Sequence, residues 1–96
     1  MSFPFTAEQL LPDLKIDLGI GAQVFDARLK ERINTAMERI TAEGVTLTAT
    51  SADKDLILMY AAWLWRCRIT QEPMGRMLRL ALNNRAIGEA AGEVQT

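Results

Sequence analysis

The sequence predicts an all-α fold: a small bundle of three main helices, with a short N-terminal helix and a flexible C-terminal tail. Three observations predict it. The 96-residue length suits a single domain with one core. Apolar residues recur at three- and four-residue steps through residues 22–43. Capping residues and glycines mark the ends of the predicted helices. We therefore expect one domain over residues 1–96, with its core over about 7–84.

The first predicted helix is short and covers about residues 7–12. Thr6 and Gln9 have the spacing of a capping box, and Pro12 limits the helix because proline is poorly tolerated in a helix interior. Over residues 13–21, apolar residues alternate with polar residues or glycine. This alternation favours a short extended piece that packs on the core.

The second helix has the clearest periodicity. It spans about residues 22–43 and ends before Gly44, a residue suited to a left-handed cap. The outer face mixes acids and bases, as expected for a solvated surface. Its apolar stripe consists of Ala22, Phe25, Leu29, Ile33, Ala36, Met37 and Ile40.

A threonine-rich linker over residues 45–53 leads into the third helix. Thr50 or Ser51 caps this helix, which runs to about Arg68. Asp53 and Asp55 resemble a paired acid site, but their place in the first helical turn favours a capping role.

The last helix begins at Pro73, because proline suits the first helical position. It is predicted to end near Asn83 or Asn84. Residues 86–96 contain two glycines and no sustained periodicity, which predicts a flexible arm. The apolar stripe of the last helix consists of Met74, Met77, Leu78, Ala81 and Leu82.

The third helix is apolar on more than one side. Leu58, Ala62 and Trp65 lie on the side away from Tyr60 and Leu64. A helix that is apolar all round is either central in its domain or shared with a partner. Three main helices leave this second side without an obvious cover, so we expect a partner chain there. The alternative is that the N-terminal segment, with Phe3, Phe5, Leu10 and Leu11, folds back over it. The residues predicted to form the core of the chain are Phe25, Leu29, Ile33, Tyr60, Trp63, Leu64, Met77, Leu78 and Leu82.

Composition argues against an enzyme. The chain has no histidine and one cysteine, Cys67, so histidine bases and thiolate metal clusters are excluded. We expect no cofactor and no metal, and a buried, inert Cys67. The longest uncharged apolar run is too short to cross a bilayer, and the first residues lack a signal-peptide pattern. These features predict a soluble, cytoplasmic protein that does not associate with membranes.

The charge is nearly balanced but unevenly distributed. The formal net charge is −1. Residues 1–55 hold nine acids and six bases, whereas residues 66–85 hold five arginines and one acid. A basic segment near the C-terminal end could therefore meet the acidic half of a neighbouring copy, as a head-to-tail assembly would need.

Two patterns in the sequence resemble a known family. They are D-x-x-L-x-x-x-Y-A-A-W-L, from Asp53 to Leu64, and M-x-R-M-L-R-x-A-L-N-N-R, from Met74 to Arg85. With the upstream segment LKIDLGI, they resemble the head–tail connector (adaptor) proteins of tailed bacteriophages and prophages. The resemblance covers roughly residues 14–87.

The resemblance implies a small helical structural protein without catalytic chemistry. Such proteins form a homo-oligomeric ring, often dodecameric, on the portal protein at the capsid vertex. The ring extends the DNA channel, through which DNA passes without sequence-specific binding, and it docks the next head-completion or tail protein. The resemblance places the protein in the virion neck, and in the host cytoplasm during assembly. The predicted subunit interface consists of Leu58, Ala62, Trp65, Arg76, Arg79 and Arg85.

A helix-turn-helix DNA-binding protein, regulatory or packaging, is the main alternative. In that interpretation the last helix would enter the major groove, with Arg76, Arg79 and Asn83 contacting bases or phosphates. The slightly acidic chain argues against it, as does the lack of a clear helix-turn-helix glycine in the turn.

Overall fold

The structure, a computed structural model, describes the backbone of residues 3–70 and 73–95 and the side chains of residues 3–68 and 73–87. The described chain forms helices and one 3₁₀ turn, without strands, which confirms the predicted all-α fold class. The elements are α1 (Ala7–Leu18), a 3₁₀ turn (Gln23–Phe25), α2 (Asp26–Ala42), α3 (Ser51–Thr70) and α4 (Arg76–Gln95).

Helix α1 is longer than the sequence predicts. The capping box is confirmed: the Gln9 backbone N–H donates to Thr6 Oγ1 at 3.1 Å, and the Thr6 N–H donates to Gln9 Oε1 at 2.9 Å. The predicted stop at Pro12 and the extended piece over 13–21 are wrong, because α1 continues to Leu18. Pro12 lies on the exposed face, where water can satisfy the carbonyl that loses its helical partner.

The buried residues of α1 explain why the helix continues beyond Pro12. Ala7, Leu10, Leu11 and Leu14 are all buried, and they follow a helical rather than an alternating period. The helix ends at Gly19, whose φ of 70° places it in the left-handed region. The N–H of Ile20 donates to the Lys15 carbonyl at 2.9 Å, which completes a Schellman-type cap.

Helix α2 follows the prediction closely. Its large apolar residues Leu29, Ile33, Met37 and Ile40 are fully buried, and Gly44 adopts the predicted positive φ, at 95°. The first residues of the predicted helix instead form the 3₁₀ turn. Phe25, which was predicted as core, is there 38% exposed.

Helix α3 is the centre of the fold. It packs against α1, α2 and α4, and the Asp53 N–H donates to Thr50 Oγ1 at 3.2 Å, which confirms Thr50 as its cap. The prediction of an uncovered apolar side is wrong: Leu58, Ala62 and Trp65 are only 6%, 9% and 6% exposed. A helix apolar all round is in this case a central helix.

The cover on that side comes from the same chain rather than from a partner chain. Leu58 and Ala62 lie between the end of α1 and the beginning of α4. Of the residues expected as the folded-back cover, Leu10 and Leu11 are buried in α1, whereas Phe3 and Phe5 lie near Met37 of α2. Because residues 13–18, expected to be extended, belong to α1, the N-terminal helix that packs on α3 is longer than was predicted.

Helix α4 runs to Gln95 rather than ending near Asn83 or Asn84. Leu78 and Leu82 are buried as predicted, whereas Met77 is 71% exposed, so its assignment to the core is wrong. The flexible arm predicted over 86–96 falls mostly on residues whose side chains lie outside the described part. None of the described helices is both long enough and apolar enough to span a membrane.

Candidate functional site

An ion pair joins α3 to α4 through Asp53 and Arg85. Arg85 Nε donates to Asp53 Oδ1 at 3.0 Å, and Arg85 Nη2 donates to Asp53 Oδ2 at 3.2 Å. The same Nη2 donates to the Thr46 carbonyl at 2.9 Å. The guanidinium of Arg85, which was predicted to face another subunit, thus makes contacts within the chain.

Asp53 is the one buried charged residue in the described core. Besides Arg85, it accepts hydrogen bonds from the Thr48 N–H and from Thr48 Oγ1, both at 2.7 Å. Burial alone would raise the pKa of Asp53, but the hydrogen bonds from Arg85 and Thr48 outweigh it and hold the pKa below its usual value. The carboxylate is therefore a structural anion rather than half of an acid pair with the exposed Asp55.

Trp65 is held within the chain by two contacts. Its ring meets Phe25 edge to face, with ring centroids 5.5 Å apart, and the Arg68 guanidinium lies 3.7 Å from the Trp65 ring centroid. Arg68 Nη1 also donates to the Trp65 carbonyl at 2.7 Å. Trp65 is thus a packing residue that an arginine covers, which removes it from the set of exposed contact candidates.

Arg76 and Arg79, the other predicted interface arginines, are both exposed on α4. Arg79 Nη1 lies 3.0 Å from Glu43 Oε2, and the two side chains are 46% and 34% exposed. Such an exposed pair contributes little stability, so the Arg79 side chain stays accessible to a partner. The outer side of α4 is therefore basic, as predicted.

An exposed apolar stripe on α4 was missed by sequence analysis. Met77, Leu80 and Ile87 are 71%, 51% and 66% exposed, and they share one side of the helix. The signal was present in their spacing of three and seven residues. It was hidden because Met77 also fits the buried stripe that contains Met74, Leu78, Ala81 and Leu82.

A groove of about 500 Å³ lies between the end of α1, α3 and the beginning of α4. Leu58, Ala62 and Leu78 line it together with the more exposed Met59 and Met77. Asp17, Asp55 and Arg66 also line it. Within the described part of the chain, no cluster of His, Cys, Asp or Glu could hold a metal ion. The groove thus offers apolar surface and scattered charges, an arrangement suited to contact rather than to chemistry.

The outer face of α1 has the opposite charge to that of α4. It carries Glu8, Asp13 and Asp17, with the 77% exposed Ile16 among them. The helix has one base, Lys15, which lies about 20° around the helix from Glu8, and its Nζ lies 2.8 Å from Asp26 Oδ1. The two helices thus present an acidic and a basic surface, each with exposed apolar residues.

Comparisons of the chain with models of protein families, with curated proteins and with solved structures find no match.

Proposed function

We propose that this chain is a head–tail connector (adaptor) subunit of a tailed bacteriophage or prophage. It would assemble as a ring on the portal protein, extend the DNA channel and dock the next head-completion or tail protein. Its role would be structural and its site of action the neck of the virion. The observation that carries the proposal is the resemblance of the Asp53–Leu64 and Met74–Arg85 patterns to these proteins.

The packing of the two patterns supports treating them as one unit. The first pattern begins at Asp53 and the second ends at Arg85, and these two residues form the ion pair between α3 and α4. The apolar positions Tyr60, Leu64 and Leu82 of the patterns are buried. The resemblance therefore extends over a packed helix pair rather than over two unrelated segments.

The surface charges also suit a ring around DNA. A ring needs two different complementary surfaces on each subunit, and the acidic outer face of α1 and the basic outer face of α4 are such a pair. A net charge of −1 suits a channel through which DNA slides, since a dense lining of arginine and lysine would hold the phosphates.

Binding to a portal ring tests the proposal directly. The purified chain would be mixed with the portal protein encoded in the same phage or prophage, and the mixture followed by sedimentation and electron microscopy. We expect an added ring of density on one end of the portal and co-sedimentation at a fixed stoichiometry. The matched control is the major capsid protein of the same phage, which should not bind. A chain that fails to bind the portal at any concentration would contradict the proposal.

A helix-turn-helix DNA-binding protein remains the second candidate. It is favoured by Arg76 and Asn83, which are exposed on the first turns of α4, the helix that follows α3 along the chain. A gel shift with duplex DNA across salt concentrations separates the two functions. Tight binding that weakens steeply with salt and is lost in Arg76→Ala with Arg79→Ala would support DNA recognition. If the chain binds no duplex DNA at any of these salt concentrations, the result would support the connector.

A further inference from the structure

The exposed apolar residues of α4 form a contact surface of their own. At about 100° per residue, Met77, Leu80 and Ile87 fall within a sector of about 80° on the helix. Their exposures of 71%, 51% and 66% are high for large apolar side chains on one stripe, and such patches mark contact sites. Because α4 packs on α3 through a different stripe, this sector takes no part in that packing.

The charged residues of α4 around that stripe are all arginines, although Glu43 pairs with Arg79 and Asp17 and Asp55 line the groove that Met77 also lines. Residues 76–87 include three arginines and no acid. Arg85 points to Asp53 on α3, whereas Arg76 and Arg79 are exposed. A surface that fits this face would therefore combine an apolar side chain with acids.

The outer face of α1 has that composition. Ile16 is 77% exposed, and it lies about 80° around the helix from Glu8 and about 100° from Asp17. Glu8 and Asp17 form no ion pair within the described part of the molecule, while Asp13 pairs with Lys54 at 2.6 Å. The face thus has Ile16 at its middle and, around it, the acids Glu8 and Asp17, with Lys15 beside Glu8 and paired to Asp26.

We propose that the outer face of α1 in one copy of this chain packs against the outer face of α4 in the next copy. Ile16 would contact Leu80 and its apolar neighbours, and the acids of α1 would lie beside Arg76 and Arg79. Both helices pack on α3 and make little contact with each other, although Asp17 and Met77 line the same groove. The two faces differ in their residues and charges, so neither face is its own partner. The contact is therefore head to tail, and it closes into a ring where the rotation between copies allows.

The inference deepens the proposed function, on which it rests for the closure into a ring. It also replaces the apolar part of the predicted interface. Leu58, Ala62 and Trp65 are covered within the chain, so the exposed apolar residues of α1 and α4 take their place. The arginines Arg76 and Arg79 keep the role that was predicted for them.

Self-association of the purified chain tests this contact without any portal protein. Molar mass would be measured by light scattering and sedimentation over a range of concentrations. We expect the wild-type chain to associate, and the association to weaken with added salt because the edge charges are exposed. A wild-type chain that stays monomeric at the highest concentration it reaches in solution would overturn the proposal.

Two substitutions break opposite ends of the contact. Leu80→Glu places an acid against the acidic α1 face, and Ile16→Lys places a base against the basic α4 face. Each variant alone should have the mass of a single chain under conditions where the wild type associates. An equal mixture should associate again, because the unaltered α1 face of one variant meets the unaltered α4 face of the other, and the introduced acid and base face each other at the second contact. Circular dichroism would show that both variants keep the helical fold.

Val24→Lys is the matched control, because Val24 is 77% exposed, like Ile16, and lies in the 3₁₀ turn outside both faces. It should leave the association unchanged. Equal loss in Val24→Lys, unchanged association in the other two variants, or a mixture that stays monomeric would overturn the proposed contact. These outcomes concern this chain alone. A chain that self-associates without binding portal would reject only the proposed function.

Discussion

Helices α2 and α4 differ in how they use their apolar residues. Helix α2 buries every large apolar side chain it carries, namely Leu29, Ile33, Met37 and Ile40. Helix α4 buries Leu78 and Leu82 but leaves Met77, Leu80 and Ile87 exposed. Both helices have apolar residues at helical spacing, so periodicity alone does not separate a core stripe from a contact stripe. The difference is that α2 has neighbours on its whole apolar face, whereas α4 packs on one helix.

Matched leucine substitutions should give the largest difference between the two helices. Leu29→Ala removes a fully buried side chain and should lower the free energy of unfolding by about 2–5 kcal/mol. Leu80→Ala truncates an exposed side chain and should change it by less than about 0.5 kcal/mol. Urea unfolding of the monomeric chain would measure both values. A large loss in Leu80→Ala would show that α4 is buried more completely than it is in this structure.

The ion pair between Asp53 and Arg85 should decide how firmly α4 is attached. Arg85→Met leaves the buried carboxylate without its main partner, although Thr48 still donates to it. We expect a loss of about 1–3 kcal/mol. Hydrogen exchange should accelerate in α4 far more than in α2, because α4 has fewer other contacts. Uniform acceleration in both helices would contradict the separate attachment of α4.

Acid should weaken the same attachment. The pKa of Asp53 is lowered in the folded chain, so its contribution to stability is complete above the unfolded pKa of about 3.9. The contribution is lost as the pH falls below that value and through the lower folded pKa. Asp53→Asn should abolish this component, so the difference in unfolding free energy between wild type and variant should shrink with acid. A difference that stays constant between neutral pH and about pH 3 would contradict this role of Asp53.

Removal of the exposed ion pair between Arg79 and Glu43 should have the smallest effect on the free energy of unfolding. Arg79→Ala removes a salt bridge between two partly exposed side chains and should cost no more than about 0.5 kcal/mol. The same substitution should weaken self-association, because the arginine belongs to the proposed contact face. Thermal unfolding and light scattering on one sample would compare the two effects. If Arg79→Ala lowers the free energy of unfolding more than it lowers the free energy of self-association, Arg79 stabilises the fold rather than the contact between copies.

Local signals in the sequence were sufficient for much of the fold. The Thr6–Gln9 capping box, the buried stripe of α2 and the positive φ of Gly44 each depend on residues within one or two helical turns. Such features are encoded where they occur, so a pattern of spacing identifies them. The signal at Pro12 was misleading, because the packing of Leu10, Leu11 and Leu14 on the core outweighs the local preference of a single proline.

Contacts between distant residues were decided only by the tertiary structure. No spacing rule relates Asp53 to Arg85, which are 32 positions apart. The cover over Trp65 comes from Phe25 and Arg68, and it depends on where α2 begins relative to α3. The second apolar side of α3 and the basic character of α4 were evident from the sequence. It could not tell which apolar side would be covered, because burial depends on which helices reach a surface once the chain is packed.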